Sequence, residues 1–97
     1  MKLYYFDIYG SAEPIRMLCS YAKLPLENVF VTGADFPELA KKGMLDFGQI
    51  PVLETEEGKF YSQPYCILRF LGRQNGFYSD DALTAFTIDS TLDSLED

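Results

Sequence analysis

Few groups in this 97-residue chain could do polar chemistry. It has two thiols, Cys19 and Cys66, and no histidine. The cysteines stand far apart and neither belongs to a Cys-x-x-Cys pair, so neither a dithiol exchange site nor a zinc knuckle is expected. Without histidine there is no imidazole base and no histidine-ligated metal, and no metal site is expected. Both cysteines read as small buried hydrophobes. Tyr4 and Tyr5 precede Phe6 near the N-terminus and by themselves read as aromatics on a strand. Lys41 and Lys42 by themselves read as solvated surface charge.

Eight basic residues against fifteen acidic ones give a net charge of −7, which argues against a generic polyanion binder, because nucleic acid is held mainly by Lys and Arg on phosphate. The acidity is concentrated at the end. Residues 1–79 hold nine acids and eight bases, whereas residues 80–97 hold six acids and no base. Those six read as a solvated helix face. An apolar fraction of 47% and a charged fraction of 24% are ordinary for a folded domain with one core. No apolar run approaches the roughly 20 residues of a membrane span. The N-terminus reaches Asp7 too early for a secretory signal, so a cytoplasmic protein is expected.

These residues must be positioned by a regular set of elements. Leu3–Ile8 reads as a buried strand broken by Gly10-Ser11. Ser11 can cap a helix with Glu13 and Pro14 in its first turn and Ile15, Leu18, Cys19 and Ala22 at helical spacing. Asn28–Thr32 reads as a second strand, and Asp35 to about Lys42 as a short helix stopped by Gly43. Residues 47–54 read as a loop entering a strand, with Pro51 allowed at its start. Glu56-Glu57-Gly58 is a hairpin turn, and Lys59–Tyr61 the returning strand. Pro64 opens a third helix carrying Ile67, Leu68, Phe70 and Leu71. Asp80-Asp81 starts a fourth, with Leu83, Phe86, Ile88, Leu92 and Leu95 apolar. The order is β-α-β-α-β-β-α followed by a further helix. The expected fold is α/β, one mixed sheet with helices on its faces, thioredoxin-like. The last helix ends on Glu96-Asp97, and negative charge there opposes the helix dipole by a few tenths to about 1 kcal/mol per charge. A helix that once continued is expected.

Three stretches, at this spacing and in this order, carry a resemblance: Tyr5-Phe6-Asp7-Ile8-Tyr9-Gly10-Ser11-Ala12-Glu13-Pro14-Ile15-Arg16, then Phe47-Gly48-Gln49-Ile50-Pro51-Val52-Leu53, then Gln63-Pro64-Tyr65-Cys66-Ile67-Leu68-Arg69-Phe70-Leu71-Gly72. Together they resemble the N-terminal, glutathione-binding domain of cytosolic glutathione transferases of the tyrosine type (mu, pi, alpha or sigma classes). The resemblance implies a glutathione-binding domain over residues 1–79. Residues 80–97 would be the first, truncated helix of the family's all-helical second domain. It also implies the chemistry, attack of the glutathione thiolate on a small electrophile. A free thiol has a pKa near ~8.5, and a hydroxyl donating to sulfur lowers it. The resemblance gives that role to Tyr5. It makes Pro51 a cis-proline that turns the Ile50 backbone toward the cysteinyl part of glutathione. It places Gln49 at the glycyl or cysteinyl end, Lys42 and position 36 at the glycyl carboxylate, and Gln63 and position 64 at the γ-glutamyl group. Asp97 falls where the family's carboxylate reaches the neighbouring subunit's site.

The chain also departs from the family pattern. Pro64 replaces a serine whose hydroxyl and N–H bind the γ-glutamyl carboxylate at a helix N-terminus. Phe36 replaces a donating tryptophan, and no base stands near Ser11. The resemblance therefore implies a glutathione transferase domain that is weak or inactive as the 97-residue chain. The alternative is a non-catalytic transferase-like module docking on a partner protein. A homodimer, or a partner covering the last helix, is expected to shield Leu92 and Leu95, with neither nucleic acid nor membrane as partner. A disulfide exchanger would have this fold but needs a Cys-x-x-Cys pair. The electrophile is left open, prostaglandin isomerisation by sigma-class relatives included.

Overall fold

The computed structural model describes residues 1–45 and 48–95. Four strands, β1 (Lys2–Tyr5), β2 (Glu27–Phe30), β3 (Val52–Glu54) and β4 (Phe60–Ser62), form one sheet of order β2-β1-β3-β4. β1 runs parallel to β2 and antiparallel to β3, and β3 pairs antiparallel with β4. The helices are α1 (Glu13–Tyr21), α2 (Phe36–Lys41), α3 (Pro64–Gln74) and α4 (Ala82–Leu95). This is the expected α/β, thioredoxin-like order.

Alternation along the central strand builds the two faces. Leu3 is fully buried opposite Leu53 and packs with Ile15 and Cys19 of α1 and Ile67 and Leu71 of α3. Each helical pair is four residues apart, so it lies on one face. Tyr4 points the other way, to a second cluster of Val31, Leu39 and Met44 beneath α2. Fully burying one such aliphatic side chain stabilises by about 1.5–3 kcal/mol.

Several boundaries differ from expectation. β1 ends at Tyr5, not Ile8, because the chain folds back through Gly10 at φ +46° and leaves Ile8 and Tyr9 exposed. Ser11 does not cap α1; residues Gly10–Ala12 form a 3-10 turn that leads into it. Cys19 is buried, and burial pushes its thiol pKa up. Cys66 is exposed, contrary to expectation, because α3 turns Ile67 and Leu71 inward and Cys66 outward.

The end of α3 is closed by Asn75, whose side-chain amide donates to the Leu71 carbonyl, and by the Phe77 N–H on the Gly72 carbonyl, with Gly76 at φ +79° between them. Asp81 caps α4 by accepting from the Thr84 N–H and hydroxyl, which hold its carboxyl below the usual range. The acids of α4 are not all a solvated face. Arg69 of α3 donates to Asp89 at 2.8 Å and to Asp93 at 2.9 Å, and the Tyr78 hydroxyl donates to Asp89. Burial works against the charge on Arg69, but its bonds to Asp93 and Asp89 outweigh that and raise its pKa. Leu92 is half-buried and lines a small cavity with Leu68 and Gly72, not exposed as expected; the Leu95 side chain lies outside the described residues, and Leu83 and Phe86 are large exposed apolar residues of α4.

Candidate functional site

The end of β1, the entry to β3 and the start of α3 meet at one edge of the sheet. They enclose an open groove of about 510 Å³. The Ile50–Pro51 peptide is cis, as expected. Gln49 and Ile50 line one wall of the groove, and Gln63 and Pro64 line another. Phe36, at the start of α2, stacks on Phe6 with ring centroids 6.2 Å apart and planes 13° apart, and both rings line the groove. So the sequence expectation brings Phe36, Gln49, Ile50, Gln63 and Pro64 together around one space, next to Pro51.

Tyr5 is half-buried against the α1–α3 core. Its hydroxyl accepts from the Ser11 N–H and the Ser11 hydroxyl, each at 3.4 Å, and Ser11 itself lines the groove. The Ser11 N–H can only donate, so that bond takes a lone pair of the phenolic oxygen and leaves its proton available. Tyr5 itself does not line the groove and touches it only through Ser11, and its side chain is not left wholly in solvent.

Gln63 is the strained residue of the site. Its φ of +71° and ψ of 106° lie where non-glycine residues rarely go. Such a conformation costs of order 1–3 kcal/mol and persists where the surroundings impose it. It aims the side chain across the groove, where Nε2 donates to Gln49 Oε1 at 3.1 Å. A ligand reaching either amide competes with this exposed bond, a modest net cost of about 0.5–1.5 kcal/mol. Among the described residues lining the groove none is charged, so recognition there rests on amides, hydroxyls and backbone groups.

Besides Tyr5, which meets the groove only through Ser11, two expected residues are not brought in. Lys42 is exposed just after α2 and does not line the groove. Asp97 lies outside the described residues, as does Phe47 of the second motif. Sequence reasoning missed Phe6, Ser11, Gly48 and Tyr65 as groove residues. Ser11 was legible only as a helix cap; what redirects it to Tyr5 is the left-handed Gly10 before it. Pro64 occupies the first position of α3, where it leaves that helix one N–H fewer to offer an anion. A second cavity of about 510 Å³ opens between Met1, Pro25, Glu57 and Gln74, and none of the candidate glutathione-site residues lines it.

The mixed sheet of order β2-β1-β3-β4, with α1 and α3 on one face and α2 on the other, defines a thioredoxin-like domain. More narrowly, the chain belongs to the glutathione S-transferase family: the family model described as "Glutathione S-transferase, N-terminal domain" matches residues 1–73. The chain is 36% identical over 96 residues to a glutathione S-transferase of Anopheles gambiae, covering 99% of this chain and 46% of that one. It is 33% identical over 96 residues to the hematopoietic prostaglandin D synthase of Gallus gallus, covering 99% and 47%. Among solved structures it is similar to a Nu-class glutathione transferase from Haemonchus contortus, with a TM-score of 0.82, 36% identity, and coverage of 98% of this chain and 45% of that one. The chain thus spans about half the length of the curated relatives it matches.

Among the described residues no helix is long and apolar enough to cross a membrane.

Proposed function

We propose that this domain binds glutathione in the groove between Gln49-Ile50 and Gln63-Pro64 and activates its thiol through Tyr5. The observation that carries the reading is the meeting of these residues around one uncharged groove, with the Tyr5 hydroxyl tied to it through Ser11. Glutathione is an extended tripeptide. The Ile50 backbone beside the cis-proline would pair with its cysteinyl residue, and the Gln63 and Gln49 amides would hold its two ends. Lys42 would reach the glycyl carboxylate only by swinging in from outside the groove. Asp97 would act, if at all, on a neighbouring subunit. Tyr5 would donate its free proton toward sulfur, holding the thiolate that attacks an electrophile.

The groove is short of donors for carboxylates. Pro64 and Phe36 cannot supply the N–H groups that serine and tryptophan would. Losing hydrogen bonds to a charged group costs about 1.5–3 kcal/mol each, so weak binding is expected. A second reading, a non-catalytic module docking on a partner chain or on a second copy, draws on Leu83 and Phe86, which stand 74% and 69% exposed on α4. Glutathione titration by calorimetry, with thiolate absorbance read on the same samples, separates the two. Binding with a depressed thiol pKa in the native chain, lost in Tyr5→Phe while the fold is kept, is the expected result. No binding at millimolar glutathione would retire the transferase reading in favour of the docking module.

A further inference from the structure

Arg16 is the charged residue most deeply engaged with the chain around Tyr5. Its side chain is only 15% exposed. Nη1 donates to the Ile8 carbonyl at 2.8 Å, and Nε donates to Asn28 Oδ1 at 2.8 Å. Nη1 also lies 3.8 Å from Glu13 Oε2. The guanidinium carbon sits 5.9 Å from the Tyr5 ring centroid and 5.8 Å from that of Phe30. One side chain thus joins α1, β2 and the loop that follows β1.

That loop makes the environment of the Tyr5 hydroxyl. The segment from Asp7 to Ser11 folds back on β1 with an Ile8 N–H to Phe6 carbonyl bond of 2.8 Å. It then passes Gly10 so close to the Tyr5 ring that a β-carbon there would overlap the hydroxyl. Ser11 follows with its two donors on the phenolic oxygen. Nothing apolar anchors the loop tip, since Ile8 and Tyr9 are 56% and 79% exposed. From outside the loop, the Glu13 N–H holds the Tyr9 carbonyl at 3.0 Å, and the Arg16 guanidinium holds the Ile8 carbonyl at the loop tip.

We infer that Arg16 is a positioning residue for thiol activation: by holding the Ile8 carbonyl and lying against the Tyr5 ring, it keeps the loop of residues 7–11 closed over Tyr5 and so fixes where the phenolic proton points. Arg suits the task and Lys does not. The planar guanidinium donates in two directions at once while lying near two rings, whereas an ammonium reaches one partner. This inference rests on the reading of Tyr5 given above.

The test uses the full 97-residue chain as native protein and as Arg16→Met, Arg16→Lys and Asn28→Ala. Two readouts are taken beside a thermal melt. Amide exchange of residues 7–12, followed by mass spectrometry, needs no ligand. The ionised fraction of bound glutathione, followed by thiolate absorbance across pH, needs one. In Arg16→Met, exchange of the loop should rise about tenfold. The thiolate fraction at neutral pH should fall by a similar factor, while glutathione affinity moves less than threefold. Arg16→Lys should recover part of both effects, and Asn28→Ala, which frees one side of the guanidinium, should fall between. Unchanged loop exchange in Arg16→Met and Asn28→Ala would overturn the inference. So would a thiolate fraction that falls only in proportion to lost affinity or lost fold. If Arg16→Met does not fold, the Asn28→Ala and Arg16→Lys pair decides on the same criteria. If the native chain binds no glutathione, the function reading fails, and loop exchange still decides whether Arg16 holds the loop.

Discussion

Cutting Asp89 back to alanine tests how α4 is held to the sheet domain. Asp89 accepts from Arg69 Nε at 2.8 Å and from the Tyr78 hydroxyl at 2.8 Å. The Arg69 and Asp89 side chains are 22% and 41% exposed, whereas Asp93, the other partner of Arg69, is 72% exposed. Fully exposed ion pairs are worth about 0.2–1 kcal/mol, and hydrogen bonds to charged groups in drier settings about 1.5–3 kcal/mol. The Arg69–Asp89 pair sits between those limits. Asp89→Ala is therefore expected to cost about 1.5 kcal/mol, with the part-buried Tyr78 bond left out of that figure. Asp93→Ala should cost under about 0.5 kcal/mol. For a chain of this size 1.5 kcal/mol corresponds to a fall in Tm of roughly 6–12 °C, if α4 unfolds together with the rest. Thermal and urea melts of both variants, with Arg69→Met and the Arg69→Met/Asp89→Ala double variant completing the cycle, give the numbers. A coupling energy near 1 kcal/mol between positions 69 and 89 is expected. Equal small losses for the two aspartates, or additive single losses, would refute the claim that burial makes Asp89 the anchor.

Other tests are independent of that one. Tyr4 is pushed up to about 12 by burial, by its hydrogen bond to Glu54 and by the charges of Glu54 and Glu27. A raised phenol pKa stabilises the fold fully below pH ~10, and that stability is lost as pH rises toward 12. After discounting for solvent, the loss is about 1–2 kcal/mol, and urea melts should show the slope between pH 10 and 12 flattened in Tyr4→Phe; parallel profiles would contradict it. Gly10→Ala should cost more than Gly43→Ala: both start from positive φ, a penalty of about 1–2 kcal/mol, but only the first also meets the Tyr5 hydroxyl. Equal melting losses would argue against the close approach. Pro64→Ser restores an N–H and a hydroxyl at the start of α3. It should tighten glutathione binding about tenfold or more by calorimetry, and no gain would mean that the groove fails for another reason.

The element order was legible because periodicity was strong where it mattered. Ile15 and Cys19, and Ile67 and Leu71, fell at helical spacing and pointed inward as the structure has them, and Leu3 lay in a run read as a buried strand. Boundaries were poorer because they depend on backbone turns that composition hides, as at Gly10, where β1 stops short and Ser11 turns to Tyr5. Asp89 and Asp93 stand four apart, so one helical face could have been matched to Arg69; read only as charge, they looked like a solvated face. Cys66 looked like core by residue type, but type does not fix which side of α3 it occupies. Within the groove, the family motifs located Gln49, Ile50, Gln63 and Pro64. The strained φ of Gln63 and the web of contacts around Arg16 are tertiary facts with no local signature.

The central place of β1 also sets a timetable for making the protein. Its outer neighbour β2 follows within 30 residues, yet its other neighbour, β3, begins at Val52. Tyr4 must wait for Glu54, 50 residues later, before its hydroxyl finds a partner. At about 5–20 residues per second, a ribosome takes roughly 3–10 s to deliver that stretch. Throughout that interval one edge of β1 is bare, with Leu3 uncovered on the side that β3 will close. Unpaired edges of this kind are what chaperones shield and what aggregation exploits. β1 is thus made before β2, β3 and β4 yet is among the last of the four to be completed, and the two faces of the core close together when the β3–β4 hairpin arrives.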